Sequence, residues 1–234
     1  MKVLAPSLNP IFRSDTQGRL LARLFLDTDA EFTITELSSH VGCSAPTVLR
    51  EVERAELAGL LRSRKIGPSR LVRADTQHPL HDSMSTLILS TFGPPLILSQ
   101  TFIGLPKSEA VIIFGSWAAR FAGRPGYSPR DIDVLVIGAP ETRTLHAAAS
   151  AAERQIGLEV NAISRPSADW LSGGDPFISE LRSNPVLPIL VDEDARALRA
   201  DLEQLLQMGS RQGALEPRKI NDSRSSRARR TEPG

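Results

Sequence analysis

Two aspartates, Asp131 and Asp133, lie two residues apart at the start of an apolar run that ends at Ile137. Successive side chains of a β-strand alternate between its two faces, so both carboxylates are predicted to point the same way. Neighbouring carboxylates repel each other unless a cation lies between them, and hard divalent cations such as Mg²⁺ prefer carboxylate oxygens. The spacing therefore predicts a divalent metal site at the start of this strand.

A glycine-serine turn precedes the aspartates, between the apolar run 111–114 and a predicted short helix through Arg120. Gly115 lets backbone amides approach a phosphate closely, and Ser116 adds a hydroxyl at a helix N-terminus, where the helix dipole favours anions. The turn and the carboxylates together predict a site for a nucleoside triphosphate and its metal.

This combination resembles the DNA polymerase β-type nucleotidyltransferase superfamily, whose signature is a Gly-Ser turn followed by Asp-x-Asp on the next strand. The resemblance covers residues 105–190 and is nearest to the small, minimal members. It implies that two Mg²⁺ ions bind to Asp131 and Asp133. It also implies that a nucleoside triphosphate, with ATP expected, binds at Gly115, Ser116 and Arg120.

The same resemblance implies a third carboxylate on a later strand, and Glu159 in LEVNAIS is its best match. Glu159 would bind metal and help to activate an acceptor hydroxyl. On that strand Asn161 and Ile163 share the face of Glu159. The chain departs from the family pattern at Arg130, where a serine is common before the first aspartate. Trp117 is expected to pack rather than to stack on a base.

A second pattern lies nearer the amino terminus. Apolar residues recur at helical spacing over 15–26, and Thr35 is the predicted cap of a short helix that stops at Gly42. A further helix begins at Ser44 and ends near Gly59, with Val48, Leu49, Val52 and Leu57 predicted to face inward. Helix, short glycine-containing turn and helix form a helix-turn-helix pattern.

Two predicted short strands around Gly67-Pro68 follow these helices. The whole segment, about residues 15–75, resembles the winged-helix DNA-binding domains of ArsR/MarR-like bacterial regulators, which implies double-stranded DNA as a partner. Family analogy and the basic character of the hairpin, which supplies phosphate contacts, define the predicted DNA-binding residues. These are Ser44, Ala45, Thr47, Arg50, Arg62, Arg64, Lys65, Arg70 and Arg73.

Other observations leave a protein–protein role open for this segment. Glu51, Glu53 and Glu56 make the later part of the second helix acidic, and winged helices also serve as protein-binding modules. Operator recognition would need a homodimer, because half-site symmetry mirrors protein symmetry.

The composition bounds the class of protein. The 234 residues are 41% hydrophobic and 24% charged, with a net charge of +1, as is ordinary for a globular chain. The single cysteine, Cys43, excludes an internal disulfide and suits a reducing compartment. No apolar run reaches membrane-spanning length and no secretory signal is recognised, so a cytoplasmic protein without membrane association is expected.

The predicted fold class is α+β: an N-terminal winged helix-turn-helix, then a nucleotidyltransferase-type mixed sheet flanked by helices. The predicted boundaries are 1–78 for the DNA-binding domain, 79–105 for linker helices, 106–208 for the nucleotidyltransferase-like domain and 209–234 for a disordered basic tail. The linker helices either pack the two domains together or form a dimer seam.

Three functions remain open from the sequence. The first is a DNA-binding transcriptional regulator whose nucleotidyltransferase domain binds a nucleoside triphosphate with Mg²⁺ and transfers a nucleotide to an acceptor hydroxyl. The second is an antitoxin-type nucleotidyltransferase that modifies a partner toxin and regulates its own operon through the winged helix. The third is a catalytically inactive scaffold or sensor.

Overall fold

The computed structural model describes residues 2–3 and 12–212, with side-chain surroundings for residues 12–206. It contains one five-stranded and one three-stranded sheet with helices around both, which agrees with the predicted α+β class. The first strand, β1 (Lys2–Val3), is short and belongs to the larger sheet.

The N-terminal unit, residues 12–74, consists of three helices and the smaller sheet. Its further elements are α1 (Asp15–Leu26), β2 (Phe32–Thr33), α2 (Ile34–Val41), α3 (Ala45–Leu57), β3 (Leu61–Ile66) and β4 (Ser69–Ala74). The strand order is β2-β4-β3 with both pairs antiparallel, so β3 and β4 form the hairpin that the sequence predicts.

Two details of these helices differ from the sequence predictions. Thr33, not Thr35, caps α2, because Glu36 lies three residues after Thr33 and completes a capping box. Leu57 was predicted to face inward but is 91% exposed. At 100° per residue it lies away from the stripe of Val48 and Val52, and Ala55 takes the inward position.

Residues 108–206 form the C-terminal unit around the larger sheet. Its elements, with the two connecting helices before them, are α4 (His81–Phe92), α5 (Pro94–Phe102), β5 (Ser108–Phe114), α6 (Gly115–Phe121), β6 (Asp131–Gly138), α7 (Thr142–Ile156), β7 (Glu159–Arg165), α8 (Ser167–Ser172), α9 (Pro176–Arg182), β8 (Leu187–Val191) and α10 (Arg196–Gln212). The strand order is β1-β8-β5-β6-β7, in which β6 and β7 alone among the described pairs are parallel.

The two faces of this sheet are covered by different layers. Ile132 and Val134 of β6 point into a core shared with α5 and α7, whereas Leu135 and Ile137 point into a second core with residues of α8, α9 and α10. Alternation along β6 puts Asp131 and Asp133 on the second face. The helices cover the later part of the strand and leave its first residues partly open.

The connecting helices join the two units. α4 packs on α1, and α5 packs on α7. One continuous apolar core therefore runs from Leu24 of α1 through Ile88 and Leu98 to Ala152 of α7. Two roles were predicted for these helices, packing the two domains together or forming a dimer seam. In the structure they pack between the two units.

The ends of the chain add to the larger sheet and its cover. Lys2–Val3 lies within the range predicted for the DNA-binding domain but pairs with β8. The last helix continues to Gln212, so the first four residues of the range 209–234, predicted to be a disordered tail, are helical. The predicted basic tail lies outside the described residues from 213 onward. None of the described helices has the length and apolar character needed to cross a membrane.

A partly buried histidine at the seam between the units, His40, predicts a pH-dependent stability. Burial, together with the Arg23 and Arg19 cations, lowers the pKa of His40 from 6.5 to about 4. The folded protein then binds fewer protons than the unfolded chain between these values. Stability should therefore fall by about 3 kcal/mol as the pH drops from 6.5 to 4, and level off below.

The measurement is urea unfolding at several pH values in phosphate-free buffer, with His40→Gln as the comparison. Other titrating groups are common to both proteins, so the difference between the two stability profiles reports on His40. Parallel profiles over this pH range would contradict the prediction.

Candidate functional site

A tight turn connects β5 to α6 at Gly115. Its φ of +72° lies in the left-handed region that favours glycine. A Cβ atom built at this position would lie 2.2 Å from Asp133 Oδ2, which is closer than any real contact. Glycine is therefore required twice, by the backbone conformation and by the approach of a carboxylate on the neighbouring strand.

Asp131 and Asp133 lie at the start of β6, where Asp133 is the cross-strand partner of Phe114. Both are partly buried, and neither forms an ion pair with a described residue. Burial raises the pKa of Asp133, and the negative charge of Asp131 raises it further, while the Asn161 amide opposes this shift. Bringing the two carboxylates together thus costs free energy that a bound cation would offset.

Asn161 is a site residue to which the sequence assigned no role. It lies on β7 as the parallel partner of Asp133, and its Nδ2 donates a hydrogen bond of 3.1 Å to Asp131 Oδ2. The signal was present, because alternation along β7 places Asn161 on the face of Glu159. What the sequence lacked was the register between the two strands.

Glu159 is the backbone partner of Asp131 in the parallel β6–β7 pair, so the two side chains share a face. Glu159 is exposed, and no three Asp, Glu, His or Cys side chains in the described part of the chain are grouped closely enough to hold a metal ion. The structure brings Asp131 and Asp133 together and leaves Glu159 at the edge. Its role as third ligand stays a prediction.

The donor set fits a magnesium ion. Mg²⁺ commonly binds one or two protein carboxylates and completes its shell with water and substrate phosphates. Asp131 and Asp133 supply the two carboxylates, and the Asn161 hydrogen bond fixes one of them. Phe114, the cross-strand neighbour of Asp133, packs edge to face against Phe177 with the ring centres 5.7 Å apart.

The predicted nucleotide-binding residues occupy the helix after the turn. Ser116 is exposed in the first turn of α6. Arg120 is also exposed, but its Nη1 donates a hydrogen bond of 2.8 Å to the Arg124 carbonyl, so it supports the following loop. Trp117 is 3% exposed and stacks on Phe121 at 4.9 Å, as the packing interpretation predicts.

The loop between α6 and β6 borders the site, and two side-chain hydrogen bonds hold it in place. Arg124 Nη1 donates to Asn184 Oδ1 at 3.2 Å, and the hydroxyls of Ser128 and Thr28 lie 3.4 Å apart. The loop therefore contacts both the C-terminal and the N-terminal unit. Tyr127, which lies between Arg124 and Ser128 in the loop, is 94% exposed.

Magnesium is expected to stabilise the protein through the carboxylate pair. At about ten times its Kd, a ligand of the folded state adds about 1.4 kcal/mol, which raises Tm by about 3–6 °C in a chain of this size. Asp133→Asn should raise Tm without magnesium, because it removes the charge whose pKa is raised, and should abolish the response to magnesium. Calorimetry with and without MgCl₂ measures both effects, and an equal magnesium response in the variant would contradict them.

The basic hairpin, β3 and β4, is a surface separate from the carboxylate pair. Acidic residues that lie beside it in the folded protein reduce its net positive charge. Acids from elsewhere in the N-terminal unit neutralise three of its five cations. Arg62 pairs with Asp75 at 2.6 Å, Arg64 with Glu31, and Arg70 with Glu56 and, at 3.6 Å, Glu53. Among described residues, Lys65 and Arg73 form no ion pair.

The remaining DNA-binding candidates lie at the start of α3. The hydroxyls of Ser44 and Thr47 lie 3.0 Å apart, and Arg50 Nη2 lies 3.5 Å from Thr47 Oγ1. Ser44, Ala45 and Arg50 are exposed, whereas Thr47 is partly buried. The helix and hairpin candidates occur in one unit, but the predicted DNA contact stays a prediction.

Comparisons with known proteins add little to this geometry. No protein-family model and no curated protein match the chain. Among solved structures, the chain is similar to one in the crystal structure of a mutant form of the toxin-antitoxin MntA-HpeT. The identity is 15% and the TM-score 0.30, over 50% of this chain and 89% of that chain. Similarity at this level carries no argument, so function must be inferred from the site.

Proposed function

We propose that the C-terminal unit is a nucleotidyltransferase that transfers a nucleotide from a nucleoside triphosphate to an acceptor hydroxyl. One observation carries the proposal. Gly115 at the β5–α6 turn lies against Asp133, and Asp133 shares a strand face with Asp131. A turn that admits a phosphate beside an uncompensated carboxylate pair suits a triphosphate with its metal.

Each residue of the carboxylate site has its own role in the proposed transfer. Asp131 and Asp133 hold magnesium, which would supply the positive charge that neutralises the triphosphate. Asn161 fixes the orientation of Asp131 by its hydrogen bond. Gly115 and Ser116 offer a backbone amide and a hydroxyl to the triphosphate, and Glu159 at the open edge accepts the acceptor's proton.

The reaction is an in-line displacement at the α-phosphorus. The acceptor oxygen forms a bond to phosphorus, the bond to the bridging oxygen of the β-phosphate breaks, and pyrophosphate leaves with that electron pair. The site is open at Glu159, which leaves room for a macromolecular acceptor. A partner protein such as a toxin is the acceptor that we favour.

Two labels test this assignment directly. The purified protein is incubated with MgCl₂, a clarified extract of its source cells and ATP labelled at the α- or the γ-phosphate. We expect a protein band that is labelled from α-labelled ATP only when the purified protein is added, and no added-protein-dependent band from γ-labelled ATP, because the leaving pyrophosphate carries the γ-phosphate. A band that depends on the added protein and is labelled from γ-labelled ATP alone would identify a kinase, and absence of such a band with either label would contradict transfer from ATP.

A second function, DNA binding, is favoured by the arrangement of the N-terminal unit. Two helices joined by a short turn and followed by a hairpin are the elements of a winged helix. Because Arg64 and Arg70 are already paired with acids, we propose that Lys65 and Arg73 make the phosphate contacts.

Binding of the protein to its own promoter DNA at several salt concentrations tests this choice. Lys65→Ala with Arg73→Ala should weaken binding and reduce the salt slope by about 2. Arg64→Ala with Arg70→Ala is the matched control with the same loss of charge, and should have the smaller effect. A larger loss of binding in Arg64→Ala with Arg70→Ala than in Lys65→Ala with Arg73→Ala would contradict the assignment. Absence of any salt-dependent binding would remove DNA as a partner.

A further inference from the structure

A cleft lies at the seam between the two units, on the face of the larger sheet opposite to the carboxylate pair. The cleft opens to solvent, and α1, α2, α5, α7 and the end of α4 contribute to its walls. Phe92 and Ile97 provide an apolar wall. The polar lining is Arg19, Arg23, His40 and Gln155, with no acidic side chain among the lining residues.

Arg23 is the central group of this cleft. Its Nη1 is buried and has no hydrogen-bond partner among the described residues. Its guanidinium also lies 4.3 Å from the ring centre of Phe32, which holds the side chain in place. A buried guanidinium nitrogen without an acceptor is costly, so an acceptor supplied from outside the chain would be stabilising.

Arg23 and His40 converge on one place. A Cβ atom built at Gly157 would lie 3.5 Å from Arg23 Nε and 3.8 Å from His40 Cε1. Arg19 lies one turn before Arg23 on α1 and pairs only weakly with Asp15, at 4.0 Å. Three nitrogen-bearing side chains from two helices therefore meet at the end of α7, where Gln155 adds an amide.

The electrostatics of the cleft favour an anion. Burial lowers the pKa of Arg23, and the nearby Asp27 carboxylate opposes this only in part. Burial and the two arginines also lower the pKa of His40, to about 4, so the imidazole is neutral at pH 7. A bound anion would offset the positive charge of the two arginines and raise the pKa of His40, which favours the protonated imidazole.

We propose that this cleft binds a phosphate group, either free phosphate or a phosphomonoester, between Arg23, Arg19 and His40. A guanidinium fork matches phosphate oxygens and donates two hydrogen bonds to them. The bound group would join α1 and α2 of the N-terminal unit to the end of α7. The site is independent of the proposed transfer reaction, which uses residues on the other face of the sheet.

The competing explanation is that Arg23 only stabilises the C-terminal end of α7, where helix carbonyls favour cations. In that case phosphate would not change the signals of His40. The two explanations therefore differ in the wild-type protein, before any residue is replaced.

The test follows the ring signals of His40 by NMR and Tm by calorimetry, during titration with inorganic phosphate and, separately, glycerol 3-phosphate at constant ionic strength. We expect saturable shifts of the His40 signals, a raised His40 pKa and a rise in Tm of about 3–6 °C at 10 times Kd. Arg23→Gln and Arg19→Gln should remove or weaken these effects. Arg143→Gln, which removes an exposed arginine from the first turn of α7, should preserve them.

Binding of either probe that depends on Arg23 supports the site, and the tighter probe identifies free phosphate or a phosphomonoester as the ligand class. Unchanged His40 signals in the wild type, or an equal rise in Tm in Arg23→Gln, would overturn it. Should Arg23→Gln fail to fold, Arg19→Gln and the wild-type NMR titration decide, since Arg19 is an exposed residue.

Discussion

Asp131→Asn and Asp133→Asn are each expected to reduce nucleotide transfer by about 10³-fold or more. Asparagine preserves the size of the side chain but removes the charge that binds the metal. A factor of 10³ corresponds to about 4 kcal/mol of transition-state stabilisation, which is the scale of a metal ion's contribution to phosphoryl chemistry. The measurement is the initial rate of labelling from α-labelled ATP at saturating magnesium.

The control for this prediction must remove an acid without touching the site. Glu141→Gln serves, because Glu141 is exposed beyond the opposite end of β6 and its side chain makes no capping hydrogen bond to α7. It should retain the wild-type rate. The site would be wrongly assigned if either aspartate variant, folded by circular dichroism, kept more than about a tenth of the wild-type rate.

Gly115→Ala is expected to reduce both the rate of nucleotide transfer and the stability of the protein. The new Cβ would lie 2.2 Å from Asp133 Oδ2, so the carboxylate or the turn must move. Displacement of a catalytic group by about 1 Å costs about 10²-fold in rate. The left-handed backbone adds about 1–2 kcal/mol of destabilisation for any residue with a Cβ.

Gly123→Ala separates these two effects. Gly123 has a similar φ of +83°, but a Cβ atom there would meet nothing within 4 Å. It should therefore lose stability through backbone strain alone and keep its transfer rate. Urea unfolding and initial rates of both variants make the comparison, and equal rates would show that the contact between Gly115 and Asp133 has no catalytic role.

The sequence predicted most of the local structure because its signals are local. Asp15–Leu26 is observed with the bounds that its helical periodicity predicted, and β3 and β4 form the predicted hairpin. Where local predictions failed, a neighbouring residue decided the outcome. Glu36 made Thr33 the cap of α2, and the phase of the α3 stripe put Leu57 in solvent.

The sequence also determined the chemistry of the candidate site. The Gly-Ser turn and the Asp-x-Asp spacing require only a strand, a turn and a second strand in succession, and short-range alternation then puts both carboxylates on one face. The structure adds that β5 and β6 are adjacent and antiparallel, which brings Asp133 against Gly115.

Only the tertiary structure decided the partners that are distant along the chain. Asn161 reaches Asp131 because of the parallel register of β6 and β7, and Glu31 neutralises Arg64 because β3 lies beside β4 and β4 beside β2. A count of cations along the hairpin could not include acids brought from other elements. The cleft at Arg23 likewise exists only because α1, α2 and α7 meet, since no short stretch of sequence contains more than part of it.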